Sequence, residues 1–550
     1  MTAAIYYHPE AYSTSGSKLM GRNAAGESFL RGFASYSKAQ SFWVQVQNTE
    51  HANCFAQTVR SFGRSEPVQM VHESNFGALS KPGVVYFPGP GIGAHAWERS
   101  FFGHGAWSLC GITHTTSSAS SMDSIAELIT APVQPWDALI CTSTAVKSNV
   151  ERVLQAQVDY LKARLGQTKL VLPQLRVIPL GIHTNDFVFT ESQKAQARKE
   201  IGADTKSIVV LFMGRLSFHA KAHPLAMYQA LELAKHASGK EIILLECGWH
   251  ANESIKRAYE QAAKSACPSV RVMTLDGRLA SECQKAWASA DVFCSFSDNI
   301  QETFGIAPIE AMAAGLPVVV SDWDGYKDTV RHGIDGYRVP TIMPAAGMGQ
   351  DLALRHALAI DSYDMYCGHA STLVAVDLEL ATSAFSELFS SPHLRKEMGW
   401  AGRVRARSTF DWQVIIPQYE SLWAELNDLR VEQAKTLKAS NCPWPARMDP
   451  FTAFASYPTN PLTSRTRLEL VGGSAKQAER RVEGYLSLSM VDYAKAVLPA
   501  PEELGLMLRS LEGEPREAAR LVVDLPAPRR KLAMRALAWL LKLGVIKMSA

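Results

Sequence analysis

A chain of 550 residues exceeds what one hydrophobic core organises, so two or three domains are expected. Its 47% hydrophobic and 20% charged residues exclude disorder over most of its length. With 56 basic against 53 acidic residues the net charge is +3, which argues against a nucleic-acid binder but is compatible with a local basic pocket for a small anion.

The start, MTAAIYYHPEAYSTSG, lacks a charged region followed by an apolar one, so no signal peptide is expected. No stretch approaches the ~20 apolar residues of a membrane span. Nine cysteines are scattered without a C-x-x-C motif. Several, such as Cys110, Cys141, Cys247 and Cys294, sit in apolar runs and read as buried, reduced thiols of a cytosolic protein.

AIYYHP from Ala4, SFWVQVQ from Ser41, GVVYFPG from Gly83, SLCGITHT from Ser108 and DALICTS from Asp137 read as strands. Helical stretches separate them, and RVIPLGI from Arg176 adds another strand. After Phe187 the rhythm restarts with IVVLFMGRL, EIILLECGW, VRVMTLDG, ADVFCSFS and LPVVVSDWD. Such alternation predicts an α/β chain with two doubly wound, Rossmann-like domains, 1–185 and 186–435, facing a cleft. Residues 341–372 read as an irregular excursion, after which helices return to about residue 435. Residues 436–475, rich in proline, serine and threonine, read as a linker, and 476–550 as a small helical module.

The stretch SDNIQETFGIAPIEAMAAGLPVVVSDWDG, Ser297 to Gly325, links a strand to a helix that tolerates Pro308 in its first turn. Glu302, Thr303, Phe304 and Gly305 fall in the connecting loop, Ile306 opens the helix, and Glu310 lies within it. Free N–H groups at a helix start attract anions, and Gly305 permits close approach of a ligand to the backbone. A carboxylate beside an anion makes sense if it binds hydroxyls attached to that anion. An anion flanked by two diols describes a nucleotide sugar. In MGRLSFHAK, Gly214 frees a turn, and Arg215 and Lys221 follow a strand end. Their charges suit a departing diphosphate, although two solvated surface cations would give the same pattern.

Together, G-R-L-x5-K (Gly214 to Lys221), ASADVFCSFS, E-T-F-G-x4-E-A-M-A-A-G-x-P-V-V (Glu302 to Val319) and RVIPLGI resemble the retaining glycosyltransferases of the GT-B fold with the E-x7-E signature, the glycosyl transferases group 1. The resemblance covers roughly residues 1–430 and is looser in the first domain. It implies that Arg215 and Lys221 hold the diphosphate, and that Glu302 contacts the donor sugar beside the Phe304–Ile306 backbone. It further implies that Glu310 contacts the ribose and that His114 faces the cleft near the reacting carbon. A glycine-rich loop with Gly16, Gly21 and Gly26 matches a family loop over the donor phosphate. The family's adjacent glycine pair is absent there; Gly21-Arg22-Asn23 stands in its region. The family generally works without a metal ion, so no metal or other cofactor is expected. The Asp-x-Asp in SDWDG reads as a loop.

In the tail, Ala533, Ala536, Leu537, Leu540 and Leu541 make an apolar helical face, and Arg529, Arg530, Lys531, Arg535 and Lys542 make it basic. A packed helical domain, a membrane-surface helix and a winged-helix-like nucleic-acid module stand open for it. The expected partners are a nucleotide-sugar donor and a sugar or glycoconjugate acceptor. The expected place is the cytoplasm, with peripheral contact at the inner face of the membrane if the tail binds lipid. A GT-B epimerase or phosphorylase, or a non-catalytic nucleotide-sugar sensor signalling through the tail, are the rival readings.

Overall fold

Short apolar runs with no polar alternation suit strands covered on both faces, and they assemble into two parallel sheets. The computed structural model describes residues 2–12, 21–437 and 443–549. The first sheet contains β1 (Ala4–Tyr6), β2 (Phe42–Val46), β3 (Val68–His72), β4 (Val84–Tyr86), β5 (Ser108–Ile112), β6 (Ala138–Cys141) and β7 (Gln174–Val177), in the order β3-β2-β1-β4-β5-β6-β7. The second contains β8 (Ile208–Met213), β9 (Ile242–Gly248), β10 (Arg271–Asp276), β11 (Val292–Ser295), β12 (Val318–Ser321) and β13 (Gly336–Val339), in the order β10-β9-β8-β11-β12-β13. These are the two doubly wound, Rossmann-like halves expected.

Strand order reverses between β1 and β4, and again between β8 and β11. Loops leaving the carboxyl ends of such a pair diverge to opposite faces and open a crevice for ligands. The pairing of Phe293 with Leu211 sets β11 beside β8, so the loops after these two strands start side by side and flank that crevice. That register is what brings residues 214–221 to residues 297–305.

The chain crosses between the halves twice, side by side. Ile182 donates its N–H to Phe410 O at 2.8 Å, and Trp412 donates to Ile182 O at 3.1 Å. Asp411 caps the helix Trp412–Gln433, accepting from Gln413 N at 2.8 Å. It also accepts from Thr184 Oγ1 at 2.6 Å. This helix returns to the first sheet, where Trp412, Tyr419 and Trp423 are fully buried among Phe29 and Phe33.

In the first half, Arg99 and Asp137 form a fully buried pair with contacts of 2.6 and 2.8 Å. Asp137 also accepts from Leu109 N and Gln134 N, so it locks the start of β5 and the turn before β6. Asp137→Ala strands the Arg99 charge in the core and lowers stability by about 3–5 kcal/mol, measured by urea unfolding.

Three expectations change. Residues 341–372 are largely helical, with helices Gln350–Ala357 and Tyr363–Ser371 beyond β14 (Thr341–Ile342), which pairs with β15 (Ala375–Val376). Pro344, Gly347 and Gly349 before the first helix, and Gly368 inside the second, mask these two short helices. The predicted linker contains β16 (Arg467–Leu470), which pairs with β17 (Arg516–Glu517) and β18 (Ile546–Met548), so the helical tail module also holds a small antiparallel sheet. Strands of two to four residues are too short to leave a periodicity. Gly26 lies inside the helix Gly21–Tyr36, where an added Cβ would meet Ala11 O at 2.1 Å. Gly26 thus serves close packing, Gly21 is the first residue of that helix, and Gly16 lies outside the described residues.

Residues 445–550 form their own compact unit. There Ala533, Ala536, Leu537 and Leu540 are buried and Leu541 packs against the same cluster, so the apolar face is filled from within the unit. Arg529 pairs with Glu503 at 2.6 and 2.7 Å. Arg530 donates to Leu525 O and Val523 O, and Arg535 to Val497 O. Three of the five cations of that helix are therefore engaged inside the unit, which favours the packed-domain reading of the tail. Among the described residues no helix is long and apolar enough to cross a membrane. The eight described cysteines are unpaired and six of them are buried.

Candidate active site

β8 ends at Met213, and the φ of +148° at the following Gly214 lets the chain turn directly into the 215–221 loop. Arg215 Nη2 donates to Ala220 O at 2.7 Å and to Gln301 Oε1 at 2.9 Å. Both bonds use the same nitrogen. Lys221 Nζ reaches Glu302 Oε2 at 2.5 Å, with side-chain exposures of 29% and 11%. The two residues assigned to phosphate and to sugar thus pair with one another. Burial pushes the Glu302 carboxyl up, but the Lys221 charge and hydrogen bond, with the Thr303 and Phe304 N–H groups, outweigh it and hold it below the usual range.

Asn299, fully buried, organises the loop after β11. It accepts from Gln301 N at 2.9 Å and donates to His219 O at 3.0 Å, which ties the two loops together. Thr303 is buried; its hydroxyl donates to His114 O at 3.2 Å, and its carbonyl accepts from Thr142 Oγ1 at 3.2 Å. The His114 backbone, just past β5, is therefore brought against the Glu302 loop. The Phe304 ring is buried and packs against Phe410, so only its backbone is available to a ligand.

The helix Ile306–Ala314 begins after Gly305, whose φ is +84°. A Cβ at Gly305 would lie 1.9 Å from Tyr326 Cε1. Glu310 lies just over one turn inside this helix. Burial, then the Asp186 charge, pushes its carboxyl up to about 7. Asp324 is also pushed up to about 7, by burial and by the Glu302 charge, and Asp298 to about 7 by burial. Asp324 accepts from Ser143 Oγ at 3.3 Å, and Asp322 lies 3.4 Å from Arg338 Nε. Among the described residues no group of three or more His, Cys, Asp or Glu side chains could hold a metal ion.

Sequence reasoning missed Gln301, Asn299 and Tyr363. The first two lie inside the stretch that carries the two glutamates, where only adjacency marks them. Tyr363 sits in the excursion, and no local pattern points from it to the site.

Glu246, on β9 beneath the site, is 2% exposed and accepts from Tyr228 Oη at 2.5 Å. Burial pushes it up to about 7, against the Tyr228 hydrogen bond. A raised carboxyl means the folded state holds the extra proton between the unfolded value and about 7. Its stabilisation is therefore full at low pH and is lost as pH rises through that window. Glu246→Gln keeps the shape and cannot titrate. It gains on the parent by on the order of 3 kcal/mol at pH 8 and by little at pH 4.5, read from urea melts at both values.

Two Rossmann-like halves, with the Lys221–Glu302 pair at the switch point of the second, have the architecture called GT-B. Residues 193–346 match the family Glycosyl transferases group 1. Among curated relatives it is 25% identical to the alpha-maltose-1-phosphate synthase of Mycolicibacterium smegmatis over 355 residues, 61% of this chain and 79% of that one. It is 28% identical to the D-inositol 3-phosphate glycosyltransferase of Nocardia farcinica over 199 residues, 34% and 43% of the two chains. For seven other curated relatives, including the Nocardia protein, the match spans half or less of the relative's length. The structure of Anabaena Alr3699/HepE in complex with UDP and glucose is 15% identical, with 77% of this chain and 100% of that one covered and a TM-score of 0.48.

Proposed function

We propose that this chain is a retaining glycosyltransferase that moves a sugar from a nucleotide-sugar donor to a sugar or glycoconjugate acceptor, without a metal ion. One observation carries the reading. Arg215 and Lys221 leave the end of β8, while Glu302 and a helix N-terminus follow its neighbour β11, and this second loop bonds to His114 of the other domain.

In this reading the bond between the anomeric carbon and the diphosphate oxygen breaks, and its electron pair leaves with the phosphate. Arg215, Lys221 and the N–H groups at the start of the Ile306–Ala314 helix disperse that charge. The acceptor hydroxyl bonds to the same face of the carbon and passes its proton to the leaving phosphate oxygen. Glu302, kept ionised, orients the sugar hydroxyls and is not the nucleophile. When a donor arrives, Lys221 turns from Glu302 to the phosphate, and each partner exchanges one contact for another. Glu310, raised towards neutrality, grips the ribose hydroxyls as donor or acceptor. A cytoplasmic enzyme is the localisation this reading carries.

A thermal-shift screen against UDP-, GDP- and ADP-sugars identifies the donor by ligand-linked stabilisation, and mass spectrometry of the products then separates the rivals. Transfer or hydrolysis that persists in EDTA supports the proposal. Tight binding without turnover supports the sensor, and an isomerised donor the epimerase.

A further inference from the structure

The helix Tyr363–Ser371 belongs to the 341–372 excursion, yet its first residue reaches both sides of the cleft. Tyr363 Oη lies 3.0 Å from Ser117 Oγ and 3.3 Å from Thr115 Oγ1, on the loop that follows His114. From the other side, Gln301 Nε2 donates to it at 3.1 Å. The excursion is firmly seated there. Asp361 holds Arg355 at 2.7 and 2.9 Å and His369 at 3.0 Å, fixing the turn between its two helices. Gly368 packs so closely on His219 of the 215–221 loop that a Cβ would lie 2.9 Å from the His219 Cβ.

The chemistry of the Gln301 side chain fixes its orientation. Arg215 is only a donor, so the amide oxygen must face it, and the amide nitrogen must then face Tyr363. With its acceptor position taken by Gln301, the Tyr363 hydroxyl donates its proton towards Ser117 or Thr115. Donation therefore runs one way through the whole chain of bonds, from the guanidinium to the first-domain loop. Removing the tyrosine oxygen leaves the Gln301 amide without its second anchor.

We propose that Tyr363 is a positioning residue of the donor site, which fixes Gln301 and through it aims Arg215 at the diphosphate. The same hydroxyl makes that aim depend on contact with the first-domain loop 115–117. This rests on the diphosphate reading of Arg215 given above. It assigns the excursion a role in donor handling.

The test is calorimetric titration of the full chain with UDP, GDP and ADP, comparing the parent, Tyr363→Phe, Arg215→Ala and the double variant, with melting temperatures alongside. For the diphosphate that the parent binds, Tyr363→Phe weakens affinity by about 3- to 10-fold, the range of one hydrogen bond. The double variant binds no more weakly than Arg215→Ala alone, because the tyrosine acts only through the arginine. Parent-like affinity in Tyr363→Phe, or a further loss on the Arg215→Ala background, overturns the inference. Loss of melting temperature with unchanged affinity also overturns it, since a merely structural tyrosine behaves so. If Arg215→Ala binds as well as the parent, or the parent binds none of the three, the donor reading itself fails and this inference falls with it.

Discussion

Lys221→Ala lowers turnover by roughly two to three orders of magnitude, the usual cost of deleting one donor from a site of developing negative charge. The Lys221–Glu302 pair adds a second effect, on stability. Glu302 is mostly buried, and Lys221 is the main group that keeps it ionised against burial. Without the lysine the carboxylate is uncompensated, and stability falls by about 2 kcal/mol, less than for a fully buried pair because Lys221 is partly exposed. The sign with pH follows. In the parent the lowered carboxyl contributes stability above its unfolded value, and that contribution is lost as pH falls through the folded value. In Lys221→Ala burial dominates and the carboxyl rises, so the deficit is large at pH 8 and shrinks as Glu302 takes up a proton in acid. Glu302→Gln on the Lys221→Ala background removes the stranded charge and restores most of the stability while turnover stays low. Urea melts at both pH values and initial rates with the identified donor check both arms. Recovery of turnover in the double variant would show that Lys221 serves the carboxylate alone.

Gly305→Ala is expected to damage both fold and binding. The position has a φ of +84°, which costs a residue with a Cβ roughly 1–2 kcal/mol. The new methyl would also overlap the Tyr326 ring, 1.9 Å from Cε1 and 2.4 Å from Cδ1. That ring is 1% exposed and its hydroxyl is bonded to Ser295 at 2.9 Å, so it has no room to swing aside. Overpacking adds roughly 1–3 kcal/mol, for a total of about 3 kcal/mol. The strain falls on the first residues of the Ile306–Ala314 helix, where the N–H groups face the proposed phosphate. A shift of about 1 Å there costs roughly a hundredfold in turnover. Gly333→Ala is the control. Its φ is +75°, and nothing lies within 4 Å of an added Cβ. It therefore carries the backbone cost alone and leaves donor affinity unchanged, as calorimetry and melting curves on the pair of variants would register.

Most of the strands legible in the sequence were those buried on both faces; the edge strands β7 and β10, without a fully buried residue, were legible as well. IVVLF and IILLE show no alternation and have no other stable use. β3 escaped because Gln69 and Met70 are exposed at the sheet edge, leaving VQMVH without a long apolar run. β13, Gly-Tyr-Arg-Val with only its two ends buried, has no apolar run, and the tail strands of two to four residues stand among polar neighbours. At the site, Arg215, Lys221 and Glu302 could be brought together from sequence because strand ends in a parallel sheet lie on one side, and the structure pairs Lys221 with Glu302 directly. That these two would pair with each other was not legible, since spacing says nothing about which charge turns to which. Tyr363 was out of reach for another reason. Its partner Ser117 is 246 residues away, and a lone tyrosine in an unpatterned segment carries no sign of its destination.

A crystal structure with the activated sugar that gives the largest thermal shift tests the central claim most directly. The account predicts the diphosphate against Arg215, Lys221 and the start of the Ile306–Ala314 helix, with the sugar hydroxyls on Glu302 and the ribose on Glu310. A donor bound elsewhere, or a Lys221–Glu302 pair left intact beneath an unfilled cleft, would contradict it.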